Sequence, residues 1–362
     1  MRRTITTSAL AITLFGMMGC EDASAPEAES DNITQGASCH PLARDRELIS
    51  GATLLVALEN GGVVALDPHS GELLHQYATG PNAFGAAFTP DGARAFVTDK
   101  DAGTLSEIDP TSDEVLGQLD IGTTPQQLAI TSSGRLYVTL SGEAAIGVVD
   151  VASTPMTLLR KIDIGAGTKP HVLSLSPDET KLWATVQGMD PKVVSIELTD
   201  AGEGAIQEFH YDIVPRVVAA SNRNAYFTGH HSTGFHMVNG ADGVVSTPYM
   251  DVNGDASEAK KQIEGAWTNA DGSLFALTHE GRKALVVLAL DEGGKPRMVR
   301  NIDNLSAKPY WVMLDPSERV AYVSIPDSNT VEAYDLTACS SQPLWSTNVA
   351  GKAKRMNVAR AK

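Results

Sequence analysis

The chain has 362 residues, 42% of them hydrophobic, and contains 32 glycines and 18 prolines, a length and composition that suit one large β-rich domain. Its 44 acidic and 28 basic residues give a formal net charge of −16 at pH 7. Such a balance disfavours a nucleic-acid partner, which would require a basic stripe to neutralise phosphates, and it disfavours adsorption to anionic lipid. We therefore expect no nucleic-acid partner.

Residues 1–19 are predicted to be a cleaved leader. Arg2 and Arg3 give it a charged start, and the apolar stretch from Ala9 to Met18 is too short to span a bilayer. Met17-Met18-Gly19-Cys20 resembles a bacterial lipobox, which places a lipid anchor on Cys20; an ordinary secretory leader with an incidental cysteine is the alternative. The leader predicts an exported, membrane-anchored protein that faces the periplasm or the cell surface.

Residues 20–38 are predicted to be an acidic, disordered tether, because their Glu, Asp, Ala, Ser and Pro residues cannot bury enough apolar surface to become ordered. As a flexible coil this segment would reach roughly 25 Å from the membrane. Residues 39–362 are predicted to form a single domain.

From residue 79 onward one unit recurs, with successive spacings of 44, 45 and 45 residues. A typical unit opens at a proline, continues as a short apolar strand, turns at a sequence of the Pro-Asp-Gly kind, and enters a second strand. The units open at Pro81, Pro125, Pro170, Pro215, Glu264 (in place of proline), Pro309 and the segment 351–354. Their first strands are predicted at Ala86–Thr89, Leu128–Thr131, Val172–Ser176, Val217–Ser221, Ala266–Asn269, Trp311–Asp315 and Met356–Ala359. This period, with about four short strands per repeat, is typical of propeller blades.

The repeats predict an all-β fold, a seven-bladed β-propeller with four-stranded antiparallel blades. Leu54–Leu58, Val63–Asp67 and Leu73–Tyr77 supply three strands of a first blade that lacks an inner strand. The C-terminal Met356–Ala359 is an inner strand with nothing after it. We expect the ring to close by pairing of this strand with the N-terminal blade, which removes exposed edges.

The repeat resembles that of the YVTN family of β-propellers, whose fold is related to that of bacterial lactonase-like propellers. The resemblance covers roughly residues 50–360 and rests on Thr89-Pro90-Asp91-Gly92, Ser176-Pro177-Asp178, Tyr137-Val138-Thr139 and Tyr322-Val323-Ser324. Where the family motif ends in Asn, this chain has Asp99, Leu140, Val186, Gly229, Thr278 and Ile325. The resemblance therefore implies the propeller fold but no function that depends on that Asn.

With Cys20 lipidated, Cys39 and Cys339 remain in an oxidising compartment, where disulfides persist. Cys39 precedes the first blade, and Cys339 falls in the turn between the third and fourth strands of the preceding blade, on the same face of the ring. We expect them to form a disulfide, worth on the order of 5 kcal/mol in the chain-entropy model for such a long loop. Two free thiols are the alternative.

The central channel is the expected location of a site. In a propeller, the loops that enter the inner strands and the turns between second and third strands surround the channel on one face. At equivalent positions the loops contribute Asn82, Gln126, His171, Arg216, Gly265, Tyr310 and Arg355, and the turns contribute Glu59, Lys100, Ser141, Gln187, His230, His279 and Pro326. We predict a ligand site formed by Glu59, Lys100, Gln126, His171, Gln187, Arg216, Tyr310 and Arg355, because a mixed polar ring suits a small molecule or peptide.

Histidines are concentrated on one arc of this ring. His171, His230, His231 and His279 come from three consecutive blades, and Glu280 adds a carboxylate. Because imidazole is a common ligand of divalent transition metals, one interpretation is a metal site. The other is a solvated polar rim.

The main functional expectation is a monomeric, lipid-anchored scaffold that binds a periplasmic or extracellular small molecule or protein through the channel mouth. Two alternatives stay open. A lactonase-like hydrolase would need a group that polarises a carbonyl and a positioned base, for which Arg216, His171 and Glu59 are candidates. A metal or redox accessory protein would use the histidine arc. Residues 252–262, an insertion before an inner strand, are predicted to be a specificity loop.

Overall fold

The computed structural model describes residues 51–229, 234–246, 263–294 and 296–359. The chain divides into two compact units, and all of these residues belong to the second, Gln35–Lys362. They form 28 strands arranged as seven four-stranded antiparallel sheets. The predicted seven-bladed β-propeller is confirmed.

Blade 1 runs outward from the channel as β28 (Ala353–Val358), β1 (Leu54–Leu58), β2 (Val63–Leu66) and β3 (Leu73–Tyr77). Blades 2 and 3 are β4 (Ala83–Phe88), β5 (Ala95–Asp99), β6 (Thr104–Ile108), β7 (Val115–Asp120), β8 (Pro125–Ile130), β9 (Arg135–Leu140), β10 (Ala145–Asp150) and β11 (Thr157–Asp163). Blades 4 and 5 are β12 (Thr168–Leu175), β13 (Lys181–Gly188), β14 (Lys192–Thr199), β15 (Gly202–His210), β16 (Pro215–Ala220), β17 (Asn224–Gly229), β18 (His236–Asn239) and β19 (Val245–Ser246). Blades 6 and 7 are β20 (Ile263–Thr268), β21 (Leu274–His279), β22 (Ala284–Leu290), β23 (Pro296–Ile302), β24 (Trp311–Leu314), β25 (Val320–Ile325), β26 (Thr330–Asp335) and β27 (Trp345–Asn348), with a 3-10 turn at Pro326–Ser328.

The ring closes as predicted. The C-terminal strand β28 pairs antiparallel with β1, with Leu54 opposite Val358 and Val56 opposite Met356. The first strand of every blade also contacts the first strands of the blades on either side, and the last of these contacts joins β24 to β28. The seven inner strands therefore form a closed circle around the channel.

Most inner strands begin earlier than their apolar residues predict. Strand β4 starts at Ala83 rather than Ala86, and β8 starts at Pro125 rather than Leu128. The cause is a β-bulge, because the pairing register shifts between Ala83 and Ala86 and between Pro125 and Leu128. In β8 and β12 the residues ahead of the apolar half include polar residues of the channel, such as Gln126 and Lys169, whereas β4 begins with Ala83 and Phe84.

A hydroxyl in the second strand joins neighbouring blades at this bulge. Thr98 Oγ1 accepts from the N–H of Gly85 at 2.8 Å and donates to the carbonyl of Gln126 in the next blade at 2.6 Å. The same pair of bonds, which we call the hydroxyl clamp, is made by Thr139, Thr185, Thr278 and Ser324. In blade 1 the position is Ala57, and in blade 5 the buried Thr228 Oγ1 has no hydrogen-bond partner among the described residues. The Thr of the repeat motif therefore has a structural role, which is to link neighbouring blades.

The hydrophobic core lies between the sheets. Second strands such as β5 are buried along their whole length, whereas the fourth strand β7 alternates half-buried with exposed residues. Large aromatic side chains, including Trp183 and Tyr322, fill the space between blades and are almost fully buried. This packing sets the positions of the inner strands and hence the shape of the channel.

Several predictions fall outside the described residues: the leader, the lipid anchor on Cys20, the tether, His230, His231 and the 252–262 insertion. Cys339 lies between β26 and β27 and is disulfide-bonded. Its partner is not among the described residues, so the pairing with Cys39 stays a prediction. Within the described ranges, no helix has the length and apolar character needed to cross a membrane.

Candidate functional site: the mouth of the central channel

A cavity of about 370 Å³ opens where the inner strands begin. Its wall consists of these strand starts and of the turns between the second and third strands. We call it the mouth cavity. Its lining residues are Glu59, Asn82, Phe84, Lys100, Gln126, Ser141, Lys169, His171, Gln187, Arg216, Tyr310 and Lys354.

The structure brings together seven of the eight residues predicted for a ligand site, namely Glu59, Lys100, Gln126, His171, Gln187, Arg216 and Tyr310. The eighth, Arg355, lies beneath the cavity and not in its wall. Gly265, His279 and Pro326, from the wider predicted ring, do not line it. The ligand-binding role of these residues stays a prediction.

A chain of hydrogen bonds orients the ring of His171. Ser141 Oγ donates to the carbonyl of Pro170, so it accepts from Gln126 Nε2, which lies 2.6 Å away. Gln126 therefore presents Oε1 to His171 Nδ1 at 2.7 Å, and this network assigns the proton of the neutral ring to Nδ1. Nε2 is then the basic nitrogen, and its orientation is fixed.

Arg216 forms an ion pair with Glu264 across the junction of blades 5 and 6. The Glu264 side chain is only 8% exposed, and burial raises its pKa above the usual range although Arg216 opposes the shift. The nearby Glu280 also raises this pKa and is itself paired with Lys308 at 2.7 Å. The ion pair holds the Arg216 guanidinium at the wall of the mouth cavity.

Cations outnumber anions in this wall, where Lys100, Lys169, Arg216 and Lys354 face a single carboxylate, that of Glu59. Glu59 lies 3.2 Å from Lys354 Nζ. Lys100 instead lies over the ring of Phe84 at 5.2 Å, and no carboxylate of the described residues is paired with Lys100 or Lys169. In an acidic chain this local excess of positive charge favours an anionic ligand.

Arg355 is 2% exposed and lies between Phe84 of the mouth cavity and Trp311 of the basal cavity, without lining either cavity itself. Its guanidinium stacks on the rings of Phe84 at 4.7 Å and Trp311 at 4.3 Å, and it donates to Gln127 Oε1. Burial lowers its pKa to about 10. Among the described residues it has no carboxylate partner, and its Nε has no hydrogen-bond acceptor.

A second cavity, of about 360 Å³, opens where the inner strands end, at the opposite end of the channel. Leu128, Leu173, Val218 and Met313 contribute to an apolar wall. Its lining contains no Lys or Arg, and its acidic members are Glu179, Asp315 and Glu318. We call it the basal cavity.

The predicted histidine arc is only partly described. His171 lines the mouth cavity, but the buried His279 does not, and its Nδ1 accepts from the N–H of Arg282 at 3.2 Å. Within the described ranges, the one group of three ligand atoms close enough for a metal is that of Asp190, Glu208 and His210. Lys192 Nζ already lies 2.9 Å from Asp190 and 2.8 Å from Glu208, so this group is a lysine-centred ion cluster.

Sequence reasoning missed Phe84, Lys169 and Lys354 in the wall and Glu264 behind it. A signal existed for two of them. Five units open with proline, and the two that do not have Glu264 and Lys354 at the equivalent position. A charged residue where the repeat otherwise keeps proline therefore marked the channel. Phe84 and Lys169 have no comparable signal.

No protein-family model and no curated protein matches this sequence. Solved structures do match. The periplasmic gluconolactonase PpgL of Pseudomonas aeruginosa is 18% identical, over 86% of this chain and 99% of its own, with a TM-score of 0.69. A Bacteroides fragilis protein proposed to be a 6-phosphogluconolactonase is 16% identical, over 88% and 99%, with a TM-score of 0.66.

Proteins of other chemistry share the fold as well. Hydrazine synthase of Kuenenia stuttgartiensis is 18% identical, over 76% of this chain and 89% of its own, with a TM-score of 0.63. At such identities the likeness shows the fold alone. This chain is thus a β-propeller with the fold of lactonase-like propellers.

Proposed function

We propose that this chain is an exported hydrolase that opens a lactone ring in the mouth cavity. The observation that carries the proposal is the position of His171. Its basic nitrogen is oriented by the Gln126–Ser141 hydrogen bonds, in the same cavity as the paired guanidinium of Arg216. A positioned base and a fixed cation are the two groups that ring opening by water requires.

The proposed reaction proceeds by addition of water to the carbonyl carbon and then cleavage of the ring C–O bond. His171 Nε2 takes a proton from the attacking water while Arg216 stabilises the negative charge that develops on the carbonyl oxygen. The imidazolium then returns that proton to the ring oxygen as the C–O bond breaks. The product is the open hydroxy acid, which releases a proton at neutral pH.

Two further observations support a lactone as the substrate class. Gluconolactonase and a protein proposed to be a 6-phosphogluconolactonase share the fold over nearly their whole lengths. The cationic wall of the mouth cavity suits both the transition state and the anionic product, since each places negative charge on the oxygens bonded to the reacting carbon.

The test is to measure lactone hydrolysis in a pH-stat, which detects the proton that each opened ring releases. The probes are D-glucono-1,4-lactone and D-glucaro-1,4-lactone. We expect His171→Asn to lower kcat by about 10²- to 10⁴-fold, the usual contribution of a general base. The amide of Asn can still donate to Gln126, so the melting temperature should stay close to that of the parent.

His210→Asn is the matched control, because His210 is 55% exposed and lies outside the mouth cavity. Its rate should match the parent within twofold. A parent protein that does not accelerate opening of either lactone, or a His171→Asn variant as fast as the parent, would reject the hydrolase.

A second candidate is an anion-binding scaffold without catalysis. The observation that favours it is the pairing of groups within the cavity, since Arg216 is bound to Glu264, Lys354 to Glu59 and His171 to Gln126. Such a preformed polar surface can bind an acid without reacting. Tight binding of D-glucarate without turnover of either lactone would favour this candidate.

We also propose that the mature protein is anchored through lipidated Cys20 outside the cytoplasm. The lipobox-like Met17-Met18-Gly19-Cys20 and a fold shared with a periplasmic protein support this location. Cys20→Ser should move the protein from the membrane fraction to the soluble fraction. An unchanged distribution would contradict the anchor.

A further inference from the structure

We propose that Arg355 binds a carboxylate of the ligand, so that the mouth cavity takes a lactone acid, a lactone with a carboxylate away from the reacting carbonyl. This inference deepens the proposed function and relies on it for the lactone ring. The carboxylate is inferred from Arg355 itself.

The first step is the lack of a counter-ion. A buried charge is costly to keep unless it is paired, and replacing it with an apolar side chain of similar volume commonly costs nothing. Arg216, in the wall above, has Glu264 as its partner. Arg355 is more deeply buried, yet its partners among the described residues are the neutral amide of Gln127, the side chain of Tyr310 and the faces of two rings. Glu264 acts on its charge but is not in ion-pair contact with it. A buried cation without a carboxylate in direct contact points to an anion supplied by the ligand.

The second step is direction. Two partners of Arg355 line the mouth cavity: Phe84, on which the guanidinium stacks, and Tyr310, to which it is hydrogen-bonded. Its other partners, Gln127 and Trp311, line the basal cavity, so the charge of each cavity decides the direction. The basal cavity on the other side has three acidic residues and no basic residue in its lining. An anion is therefore attracted to Arg355 from the mouth and repelled from the base.

The third step is the supply of donors. Arg355 Nε and Trp311 Nε1 are both buried N–H groups without an acceptor in the described part of the chain. The Trp311 ring lies 4.3 Å from the guanidinium carbon. Unpaired donors on two stacked side chains, together with a positive charge, match the oxygens of a carboxylate, which would satisfy the hydrogen-bonding groups that folding leaves unpaired.

Lysines at the rim of the mouth cavity also favour an acidic ligand. Lys100 and Lys169 line the mouth without a carboxylate partner among the described residues. They attract an acid to the cavity, whereas the fork of Arg355 is the group that recognises the shape of a carboxylate.

The test is a comparison of two lactones with the same ring that differ in one group. D-glucaro-1,4-lactone has a carboxylate where D-glucono-1,4-lactone has a hydroxymethyl group. Titration calorimetry at physiological ionic strength should show the parent binding the first about tenfold or more tightly, the usual effect of a charge-assisted hydrogen bond. Arg355→Met should reduce this ratio to about twofold or less.

Arg297→Met is the matched control, since it removes the same charge from an exposed position on the outer strand β23 and should leave the ratio unchanged. Arg355→Lys should give an intermediate ratio, because it keeps the charge but loses the fork. If Arg355→Met does not fold, Trp311→Phe, which removes one donor and keeps an aromatic ring, should still lower the ratio.

Equal binding of the two lactones by the parent, no binding of either, or an unchanged ratio in folded Arg355→Met would overturn the inference. The outcome is separate from that of the proposed function. A parent that prefers the acid but opens neither ring would reject the hydrolase and keep the carboxylate site. A parent that binds both lactones equally and opens both rings at equal rates would keep the hydrolase and reject the carboxylate site.

Discussion

The two ends of the channel have cavities of nearly equal volume, about 370 and 360 Å³, but they use polar side chains differently. At the basal end these side chains form hydrogen bonds with the protein's own backbone and side chains. Asp315, for example, accepts from the N–H groups of Arg319 and Val320 at 2.9 Å and from Ser317. At the mouth, Lys100 and Lys169 have no carboxylate partner among the described residues.

The difference follows from chain geometry. An inner strand ends at the base in a tight turn, whose unpaired backbone groups require a capping side chain such as Asp315 or Asp178. The same strand begins at the mouth before its bulge, where the backbone is supported by the hydroxyl clamp of the neighbouring strand. Side chains at the mouth are therefore free to differ between blades. We infer that the basal end mainly serves stability and that the mouth is the end available for recognition.

The largest effect on stability should come from the ion pair of Arg216 and Glu264, which joins blades 5 and 6 and also places a cation at the mouth cavity. Arg216→Met leaves the buried Glu264 without its partner and should lower the free energy of unfolding by about 3–5 kcal/mol. The double variant Arg216→Met/Glu264→Gln should recover most of this loss. Urea unfolding measures all three proteins, and a double variant as unstable as the single one would show that the charge of Glu264 is not the cause.

Glu264 also predicts a pH dependence. Burial raises its pKa in the folded state above the ordinary value of 4.5, so the folded protein holds this proton to a higher pH than the unfolded chain does. Its contribution to stability is therefore present below about pH 4.5 and declines as the pH rises toward the raised value. Relative to Glu264→Gln, the parent should lose stability across this window. Parallel pH profiles of the two proteins would contradict the assignment.

A crossed pair of variants would separate the two ends directly. Asp315→Ala leaves buried N–H groups unpaired and should cost about 2–4 kcal/mol of stability, without changing the Kd for D-glucarate in the folded protein. Lys169→Met should change stability by about 0.5 kcal/mol or less but weaken D-glucarate binding several-fold. If each variant affected both quantities, the division between the ends would be wrong.

The hydroxyl clamp should have a smaller effect, with a built-in control. Thr98→Val removes two buried hydrogen bonds, one to Gly85 within blade 2 and one to Gln126 in blade 3, and should cost about 1–2 kcal/mol. Thr228→Val changes the equivalent residue, whose hydroxyl has no partner in the described part of the chain, and should be within about 0.5 kcal/mol of the parent. Equal losses in thermal unfolding would show that the clamp contributes nothing beyond packing.

The fold was predictable because its signals repeat. Six turns and seven apolar strands at a near-constant spacing indicate blades even where a single unit is irregular, and the incomplete blades at the two ends indicate ring closure. The starts of β8 and β12 were predicted too late because polar residues such as Gln126 and Lys169 give no strand signal.

The wall of the site was largely predictable from the same period, since equivalent positions meet around the channel. What the sequence could not provide is the pairing between blades. Nothing local links Arg216 to Glu264, which is 48 residues away, or places Gln127 beside Arg355, 228 residues away. The depth of Arg355 was also hidden, because its position in the repeat equals that of His171, a wall residue.

The most direct test of the central claim is a crystal structure of the protein soaked with D-glucarate, a dicarboxylate with no ring left to open. The mouth cavity should hold the acid, with one carboxylate at Arg355 and the other near His171 and Arg216. Density for the acid in the basal cavity, or an empty mouth at a concentration that saturates binding in solution, would contradict the assignment of the mouth as the functional site.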